Sequence, residues 1–495
     1  MIRTPEQYVE SLRDGRALYF EGEKIKDMTK HPKFKASING VALSYHLAND
    51  PKWSKLLVTE EKGEKIMFLF NQPKSSEDLI RRRQIYINTM RMGARMPGMG
   101  PDALAASGIV AARIDKAKGT HYSDAIKDYH QHLLKTDPAI TGAITDVKGN
   151  RGLRPSAQVQ HKDFYVRIVD KKKDGIVVRG AKMHISASPT ANEFIVSPCR
   201  AHREEDKDYA VVFAVPANAK GLKLITSPGY YQDIGEEADW NWPVSSRTAG
   251  ISEVMLVFDD VFIPWNRVFM AGEWEFSRDQ AWLFGVFHRL YGTCHKVIST
   301  EEETGAAALM AEYNGIDRYP HIQEKLAWLA CHCQIVDVLA QAGCEHPDTF
   351  PDIGMVSPNI TYINMAKFMF ANDQHQVSKL ISDIAGGIVS TVFNYKDWNN
   401  PEERPYIEKY LAGKDGIPTE DRLKAVRMVK DLIGHGHDAT TIHAEGSLAA
   451  QIMSMYAYAD WEKYKSIAKR VAGIKGWEKH PFLKELPPWP PKWVV

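Results

Sequence analysis

The chain has 495 residues, 44% hydrophobic and 25% charged, which is enough for two or three folded domains around a large core and argues against disorder. Its 63 Lys and Arg nearly balance its 62 Asp and Glu, so a net charge of +1 gives no global field that would favour nucleic acid or an acidic membrane. Five cysteines favour free thiols over a disulfide framework, and no apolar run is long enough to span a bilayer, so we expect a cytoplasmic protein.

The first segment, residues 1–140, is predicted to be an α-helical domain. Thr4 as N-cap, Pro5 in the first turn and Gln7 three places after the cap predict where its first helix starts. Similar periodic segments recur near residues 76–92, 102–116 and 123–135. The arginine triplet at 81–83 is interpreted as the solvated start of one of these helices.

Residues 141–158 combine turn formers, small residues and cations with almost no apolar side chain to bury. Gly149 and Gly152 permit positive φ or a close approach of the backbone, while Lys148, Arg151 and Arg154 add donors suited to phosphate. The spacing fits neither a Walker loop nor a dinucleotide fingerprint. Composition therefore favours a solvated loop and leaves an anion-binding loop open.

The pattern then changes to short β-branched runs, which predict an antiparallel sheet or small barrel up to about residue 272. These runs begin near residues 164, 175, 209, 222 and 253. Beyond residue 275 long amphipathic segments predict a helical bundle. They lie near 276–313, 320–343, 358–387 and 420–470, with turn-rich interruptions at 345–357 and 396–419. The Pro- and Trp-rich ending cannot be helical and is predicted to be an extended arm.

The densest run of reactive side chains is residues 288–296. On a helix His288, Tyr291 and His295 fall on adjoining faces, so they could converge on one pocket, although a buried structural histidine fits the pattern equally well. Further on, His435 and His437 form a lone His-x-His pair, which is a weak metal signal, so we predict no metal site.

Several motifs follow one another in the order found in a known flavoprotein family. They are Gly-Ala-Ile-Thr-Asp-x-Lys-Gly-Asn-Arg-Gly-Leu-x-Pro-Ser-Ala-Gln (142–158), Asp-Gly-Ile-Val-Val-Arg-Gly-Ala-Lys (174–182), Asp-Lys-Asp-Tyr-Ala-Val (206–211), Val-Phe-Asp-Asp-Val-Phe-Ile-Pro-Trp-Asn-Arg-Val-Phe (257–269) and Asp-Ile-Ala-Gly-Gly (383–387). With them the chain resembles, up to about residue 475, the family that contains 4-hydroxyphenylacetate 3-monooxygenase and 4-hydroxybutyryl-CoA dehydratase.

This resemblance implies an α+β, acyl-CoA dehydrogenase-like fold. Its parts would be an N-terminal helical domain (1–140), a middle antiparallel β-barrel (141–272), a C-terminal helical bundle (273–475) and an extended tail (476–495). FAD would lie between barrel and bundle, and the chain would assemble as a homotetramer.

The resemblance also implies the residues of the site. Those expected to bind FAD are Lys148, Gly149, Asn150, Arg151, Arg154, Pro155, Ser156, Ser186, Glu445, Gly446, Ser447 and Leu448. The segment from residue 288 would lie beside the reactive edge of the flavin, which makes His288 and Tyr291 the expected catalytic residues.

The chain departs from both branches of this family. Two cluster cysteines of the dehydratases align with Ala94 and Gly98, which cannot ligate iron, and although Cys294 matches, Phe287 stands where the ligand histidine belongs. Thr440 occupies the position of a dehydratase glutamate. We therefore predict no iron–sulfur cluster.

On the monooxygenase side, the residues that recognise the phenol align with Met99, Ala103 and Gly142. The leading hypothesis is nevertheless a two-component reduced-flavin monooxygenase for a phenolic substrate, served by a separate flavin reductase, because this chemistry needs no cluster. One alternative is a dehydratase or isomerase of a CoA ester that works without a cluster. The other is a non-catalytic flavin-binding relative.

Overall fold

The computed structural model describes residues 2–61, 63–94, 99–228, 252–434 and 437–484. Gly98, His435 and the Pro- and Trp-rich end of the chain beyond Lys484 lie outside these ranges. The predictions made for them are therefore not addressed by the described structure.

The N-terminal part contains the predicted helices together with strands that were not predicted. The capping box is confirmed, since Thr4 accepts a hydrogen bond from the Gln7 amide and Gln7 accepts one from the Thr4 amide. The helices are α1 (Pro5–Ser11), α2 (Pro32–Asn49), α3 (Ser54–Leu57), α4 (Ser76–Arg91), α5 (Met99–Lys118) and α6 (Tyr122–Thr136). The strands are β1 (Ala17–Phe20), β2 (Glu23–Lys24), β3 (Val58–Glu61) and β4 (Glu64–Met67). A strand of four residues is too short for its alternation to stand out in the sequence.

The middle part consists of two open sheets. Its strands are β5 (Ile140–Ala143), β6 (Arg167–Lys171), β7 (Gly175–Ser186), β8 (Glu193–Val196), β9 (Val211–Pro216), β10 (Leu222–Thr226), β11 (Glu253–Pro264) and β12 (Val268–Ala271). One sheet has the order β2-β1-β10-β11-β7-β6 and the other β12-β9-β8-β5. The described residues form no closed barrel, and the pairs β1/β10 and β5/β8 are parallel, so the predicted antiparallel barrel is not confirmed. Both parallel pairs join strands that are distant in sequence, which local patterns do not reveal.

The C-terminal part is helical, as predicted, with a small hairpin of β13 (Asp348–Phe350) and β14 (Met355–Ser357). Its helices are α7 (Ser277–Tyr313), α8 (Pro320–Glu345), α9 (Ile360–Ala385), α10 (Ile388–Thr391), α11 (Tyr395–Asn399), α12 (Arg404–Tyr410), α13 (Thr419–Leu432), α14 (His437–His443), α15 (Leu448–Tyr458) and α16 (Trp461–Val471). The long helices α7, α8 and α9 pack against one another. No helix in the described ranges is both long and apolar enough to cross a bilayer.

Buried polar groups tie the N-terminal helices to their neighbours. Arg82, predicted to be solvated, is buried and donates through Nη2 to the carbonyls of Leu69 (2.8 Å) and Asn71 (2.6 Å). Arg83 pairs with Asp337 of α8. The prediction for this arginine triplet was wrong because the chain before α4 folds back and presents carbonyl oxygens to the helix, which a guanidinium can satisfy.

A buried ionic network joins α6 to the smaller sheet. Glu193 of β8 accepts hydrogen bonds from Tyr129 Oη (3.0 Å) and Arg267 Nη1 (2.7 Å), and its Oε1 lies 2.6 Å from His132 Nε2. Burial raises the pKa of Glu193, but the hydrogen bonds from His132 and Arg267 outweigh burial and hold this pKa at about 2. One of the two neighbours of β8 in this sheet is β5, which leads into the loop at residues 144–158.

We expect Glu193→Gln to lower the free energy of unfolding by about 3 kcal/mol at neutral pH, because the folded-state pKa is about two units below that of an unfolded glutamate. A carboxylate with a depressed folded-state pKa contributes stability above the unfolded pKa, and this contribution is lost as pH falls toward 2. The loss of stability should therefore shrink below about pH 4. Melting temperatures at pH 7 and pH 3 measure it.

Glu61→Gln is the matched control, since it removes the carboxylate from another His–Glu pair on α6, that of His130 and Glu61, which is more exposed. Exposed pairs contribute about 0 to 1 kcal/mol, so this variant should melt close to the wild type at both pH values. Equal losses in the two variants would contradict a special role for Glu193.

Candidate functional site

A buried lysine fixes the start of the loop that follows β5. Lys182 of β7 is 2% exposed, and its Nζ donates to the Ile144 carbonyl (2.9 Å), the Ser197 carbonyl (2.8 Å) and Asp146 Oδ1 (2.6 Å). An ammonium without water needs three acceptors, and these oxygens supply them. The loop therefore leaves the sheet from a fixed position.

The tip of this loop has a backbone that favours glycine. Lys148 and Gly149 have positive φ angles of 76° and 51°, and a Cβ on Gly149 would lie 2.4 Å from the ring of Phe164. Asn150 is held through its amide, which donates to Gln158 Oε1 (3.0 Å). Arg151 is exposed and makes no hydrogen bond to any described residue. The predicted cation at the tip thus remains available to a ligand.

The other predicted residues of the loop are already engaged. Asp206 is fully buried and accepts from Arg154 Nε (2.8 Å), the Ser156 amide (3.0 Å) and Ser156 Oγ (2.6 Å). Burial raises the pKa of Asp206, while the bonds from Ser156 and Arg154 lower it to about 2. Pro155 is buried at the start of a short 3₁₀ turn. Arg154 and Ser156 therefore shape the loop.

Ser186 lies at the end of β7, next to β5. Its Oγ donates to Glu253 Oε1 (2.7 Å), and its carbonyl accepts from Thr141 Oγ1 (3.4 Å). Burial raises the pKa of Glu253. The predicted serine is thus beside the strand that leads into the loop, with its hydroxyl hydrogen already donated.

An aromatic stack on α7 forms the centre of the site. The rings of Phe284, His288 and Tyr291 stack at centroid distances of 5.2 and 5.4 Å, as expected for residues four and three positions apart on one helix face. Tyr86 of α4 meets Tyr291 edge to face at 5.1 Å. A Cβ on Gly142 would lie 3.5 Å from the Phe284 ring, so the end of β5 adjoins this stack.

The segment after α14 packs against the same helix further along. The Glu445 carbonyl, in a residue with φ of +55°, accepts from Arg289 Nε (3.2 Å). A Cβ on Gly292 would lie 2.4 Å from the carboxyl carbon of Glu445. Burial lowers the pKa of Arg289 to about 10 and that of Lys367, whose Nζ lies 3.9 Å from Glu445 Oε2, to about 8. The Glu445 side chain therefore faces protein groups.

The residues after Glu445 lead into the N-terminus of helix α15. Gly446 has a φ of +103°, and the position where its Cβ would stand lies 3.5 Å from Arg289 Nη2. Ser447 caps α15 by accepting from the Ala450 amide (3.4 Å), and Leu448 is the first residue of that helix. A guanidinium beside a helix N-terminus is an arrangement that suits an anion.

Helix α7 therefore brings two of the predicted groups together. Its stretch from Phe284 to Gly292 carries His288 and Tyr291, touches Glu445 and Gly446 on one flank, and approaches β5 on the other. Several polar residues that build the site were missed in the sequence: Arg82, Tyr86, Asp102, Lys182 and Asp206. Asp102, a lone carboxylate within the apolar run of α5, carried a signal that could have been noticed.

The described residues contain no group of three or more His, Cys, Asp or Glu side chains placed to hold a metal ion. Ala94 is buried and offers no donor atom. Cys294 lies in the hydrophobic core, where burial raises the pKa of its thiol well above the usual value. A thiol of this kind is a core side chain.

Two protein-family models match consecutive parts of the chain. The model described as 4-hydroxyphenylacetate 3-hydroxylase N terminal matches residues 4–270, and the model described as 4-hydroxyphenylacetate 3-hydroxylase C terminal matches residues 277–473.

Similar proteins include both branches. The 4-hydroxybutyryl-CoA dehydratase/vinylacetyl-CoA-Δ-isomerase of Clostridium aminobutyricum is 33% identical over 96% of this chain and 100% of its own length. The 4-hydroxyphenylacetate 3-monooxygenase oxygenase component of Thermus thermophilus is 30% identical over 89% of this chain and 90% of its own.

Solved structures of both kinds superpose on this chain. An oxygen-tolerant archaeal 4-hydroxybutyryl-CoA dehydratase from N. maritimus matches with a TM-score of 0.88, at 30% identity and 96% coverage of each chain. The oxygenase component of 4-hydroxyphenylacetate 3-monooxygenase complexed with FAD matches with a TM-score of 0.84, at 28% identity, covering 94% of this chain and 98% of that one. The same component with FAD and 4-hydroxyphenylacetate gives 0.83 at 28% identity, with 98% of each chain covered.

We expect Gly292→Ala to lower the melting temperature, because its Cβ would displace the Glu445 side chain from α7. Gly305→Ala is the matched control on the same helix, where a Cβ meets nothing within 4 Å. Relief of the helix penalty of glycine should stabilise the control by roughly 0.5 to 1 kcal/mol. Equal rises in both melting temperatures would show that Glu445 is not fixed against Gly292.

Proposed function

The chain belongs to the 4-hydroxyphenylacetate 3-hydroxylase family, and on this premise we propose that it is an FAD-dependent reduced-flavin monooxygenase that hydroxylates a phenolic ring. The observation that carries this proposal is the stack of Phe284, His288 and Tyr291, which places two groups able to exchange protons within an aromatic wall. Such a wall suits a planar ring, and the two groups suit its hydroxyl. The full acyl-CoA dehydrogenase-like arrangement is part of this proposal.

The residues present fit FAD. The exposed Arg151 and the positive-φ backbone of Lys148 and Gly149 offer a cation and close main-chain approach from the middle part. From the bundle, Gly446 presents no side chain, and the start of α15 at Ser447 adds amides that favour a diphosphate. FAD supplies the redox chemistry when it is bound.

The remaining predicted cofactor residues have supporting roles in this proposal. Arg154, Pro155 and Ser156 hold the loop through Asp206, and Ser186 keeps the end of β7 against Glu253. The Asn150 side chain accepts from the Gly152 amide (3.0 Å), which leaves its NH₂ group as a donor.

The chemical role of this chain's own residues is to bind, orient and move a proton. One ring nitrogen of His288, Nδ1, contacts a buried carboxylate, and the other, Nε2, makes no hydrogen bond to a described residue. Nε2 can therefore take the proton of a phenol and return it. Tyr291, stacked on His288, is the second group we place beside the substrate.

We propose a separate flavin reductase as the partner, because reduction of the flavin needs an electron donor outside this chain. The similar proteins from Thermus thermophilus and other bacteria are named as oxygenase components, which supports a partner protein. We propose a cytoplasmic location, where a reductase and free thiols would both be maintained.

A second candidate function is favoured by the similarity to the dehydratases. In this alternative the chain would dehydrate or isomerise a CoA ester without an iron–sulfur cluster. A non-catalytic flavin-binding protein is the third possibility, because Met99, Ala103 and Gly142 replace the residues expected to recognise a phenol.

One experiment separates these functions. Enzyme loaded with reduced FAD is incubated with a panel of phenols and acyl-CoA esters, with and without oxygen, and the products are identified by mass spectrometry. A phenol that gains one oxygen atom only when oxygen is present supports the monooxygenase. An unsaturated or isomerised CoA ester formed without oxygen supports the alternative, and a flavin-loaded protein with no product from any compound supports the binding protein.

We expect Arg151→Ala to weaken FAD binding by more than about 1.5 kcal/mol, or at least about tenfold, through loss of a charge-assisted contact. Isothermal titration of the apoprotein with FAD measures the affinity. Arg318→Ala, which removes an exposed arginine between α7 and α8, is the matched control and should bind FAD like the wild type. An unchanged affinity for Arg151→Ala would remove this residue from the site.

We expect His288→Ala and Tyr291→Phe each to lower the rate per bound flavin by at least about 10²-fold, the lower range for loss of a positioned acid or base. Flavin occupancy and turnover are measured on the same sample. His332→Ala removes a buried histidine of α8 and controls for lost packing. A normal rate per bound flavin in His288→Ala would exclude this residue from the chemistry.

We propose that the chain assembles as a homotetramer. Large apolar side chains on α15 and α16 are exposed in the single chain, among them Met453 (70%), Tyr456 (68%) and Tyr464 (55%), and contact between copies would cover them. Light scattering at micromolar protein should give the mass of four chains, and Met453→Glu should reduce it. A monomer under these conditions would defeat the proposal.

A further inference from the structure

We propose that Asp102 is a positioning residue that fixes the tautomer and orientation of His288, and so decides which ring nitrogen meets the substrate. This inference rests on the proposed monooxygenase function for its kinetic consequences. Its structural content, a hydrogen bond that sets one histidine tautomer, stands independently of turnover.

The two oxygens of the Asp102 carboxylate have different partners. Oδ1 faces α4, where it accepts from Tyr86 Oη (3.1 Å) and lies 3.8 Å from Arg82 Nη1. Oδ2 faces α7 and lies 3.3 Å from His288 Nδ1. Because α4 holds one oxygen, the carboxylate cannot rotate freely, and the other oxygen stays directed at the imidazole.

The burial of Asp102 shows that this arrangement is specific. Its side chain is 1% exposed, within a helix whose neighbouring residues Ala103 and Leu104 are core side chains. A carboxylate in such a place is costly unless donors surround it. Burial raises the pKa of Asp102, and His288, Arg82 and Tyr86 each oppose that rise.

The consequence for His288 follows from donor and acceptor chemistry. A carboxylate oxygen accepts, so the imidazole donates from Nδ1 and keeps a lone pair on Nε2. Stacking on Phe284 and Tyr291 fixes the plane of the ring. Nε2 is thereby prepared as the proton acceptor for a substrate hydroxyl.

Groups from each neighbouring helix act on this pair. Arg82 and Tyr86 approach from α4, and Asp102 approaches from α5. Helix α7 carries His288 itself, Tyr291 and also Cys294, which lies near Tyr86. Arg82 is the one fixed positive charge in this set. Its Nη1 has no hydrogen-bond partner among the described residues, so it acts on Asp102 through its charge.

The test uses the FAD-loaded full chain and three variants. Asp102→Asn keeps the shape of the side chain but can donate to Nδ1, which would move the ring proton to Nε2. Tyr86→Phe leaves Asp102 in place and removes the bond that orients it. Ser107→Ala is the control, because it removes a buried hydroxyl from the same helix whose hydrogen bonds join Ala103 and Gln280.

Two readouts are measured on each variant. Solid-state NMR of ¹⁵N-histidine-labelled protein reports the tautomer, with the His288 signals assigned by comparison with His288→Gln. Steady-state kinetics with the phenol turned over by the wild type reports kcat and KM separately.

We expect an Nδ1–H tautomer in the wild type and in Ser107→Ala, and a changed tautomer in Asp102→Asn. In Asp102→Asn kcat should fall about 10²-fold with KM nearly unchanged, because Nε2 would carry the ring proton and could not accept one from the substrate hydroxyl. Tyr86→Phe should show the same changes to a smaller extent.

Unchanged His288 signals in Asp102→Asn overturn the inference. If Asp102→Asn does not fold, Tyr86→Phe decides, and wild-type signals and kinetics in that variant overturn it. Absence of turnover by the wild type on every phenol defeats the proposed function instead, and the NMR comparison still decides whether Asp102 sets the tautomer.

Discussion

The site depends on one buried ammonium group. Lys182 Nζ is shared between the carbonyls of Ile144 and Ser197 and the carboxylate of Asp146, so a single side chain connects the exit of β5, the chain after β8 and the middle of β7. Removing any one of these oxygens would leave the buried ammonium one acceptor short, which is far more costly than losing an exposed contact. This need for complete satisfaction fixes the origin of the glycine-rich loop, while Asp206 fixes its far end.

The second constraint is the shape of α7. Along two turns this helix carries the stacked rings of Phe284 and His288, the cation of Arg289 and a glycine, Gly292. Gly292 lets the Glu445 side chain approach the helix, and the buried Lys296 and Lys367 bind the chain just before it, through Thr441 Oγ1 (2.6 Å) and the Thr441 carbonyl (3.0 Å). The segment that begins α15 is therefore held by hydrogen bonds to buried cations, since a short helix alone would not hold it.

The chain belongs to a family that includes both dehydratases and monooxygenases, so the residues at its site positions bear on which reaction it performs. The dehydratase ligand positions are predicted to align with Ala94 and Gly98, and the phenol-recognition positions with small or apolar side chains such as Ala103. Solved structures of both kinds share the fold of this chain. In this chain the buried carboxylate of Asp102 contacts α4 through Tyr86 and α7 through His288. A framework shared by a monooxygenase and a lyase leaves reaction choice to such local groups.

The sequence by itself determined the features that depend on near neighbours: the capping box at Thr4, the long helices of the bundle and the composition of the loop at 141–158. The boundaries placed at residues 140 and 272 stay a prediction. Only the tertiary structure decided which polar groups meet. Asp102 and His288 are 186 residues apart, and Arg154 reaches Asp206 across 52 residues. The physical reason is that periodicity records which face of an element is apolar, whereas the partner of a buried charge is chosen by the packing of distant elements, as the burial of Arg82 and the parallel pairing of β5 with β8 show.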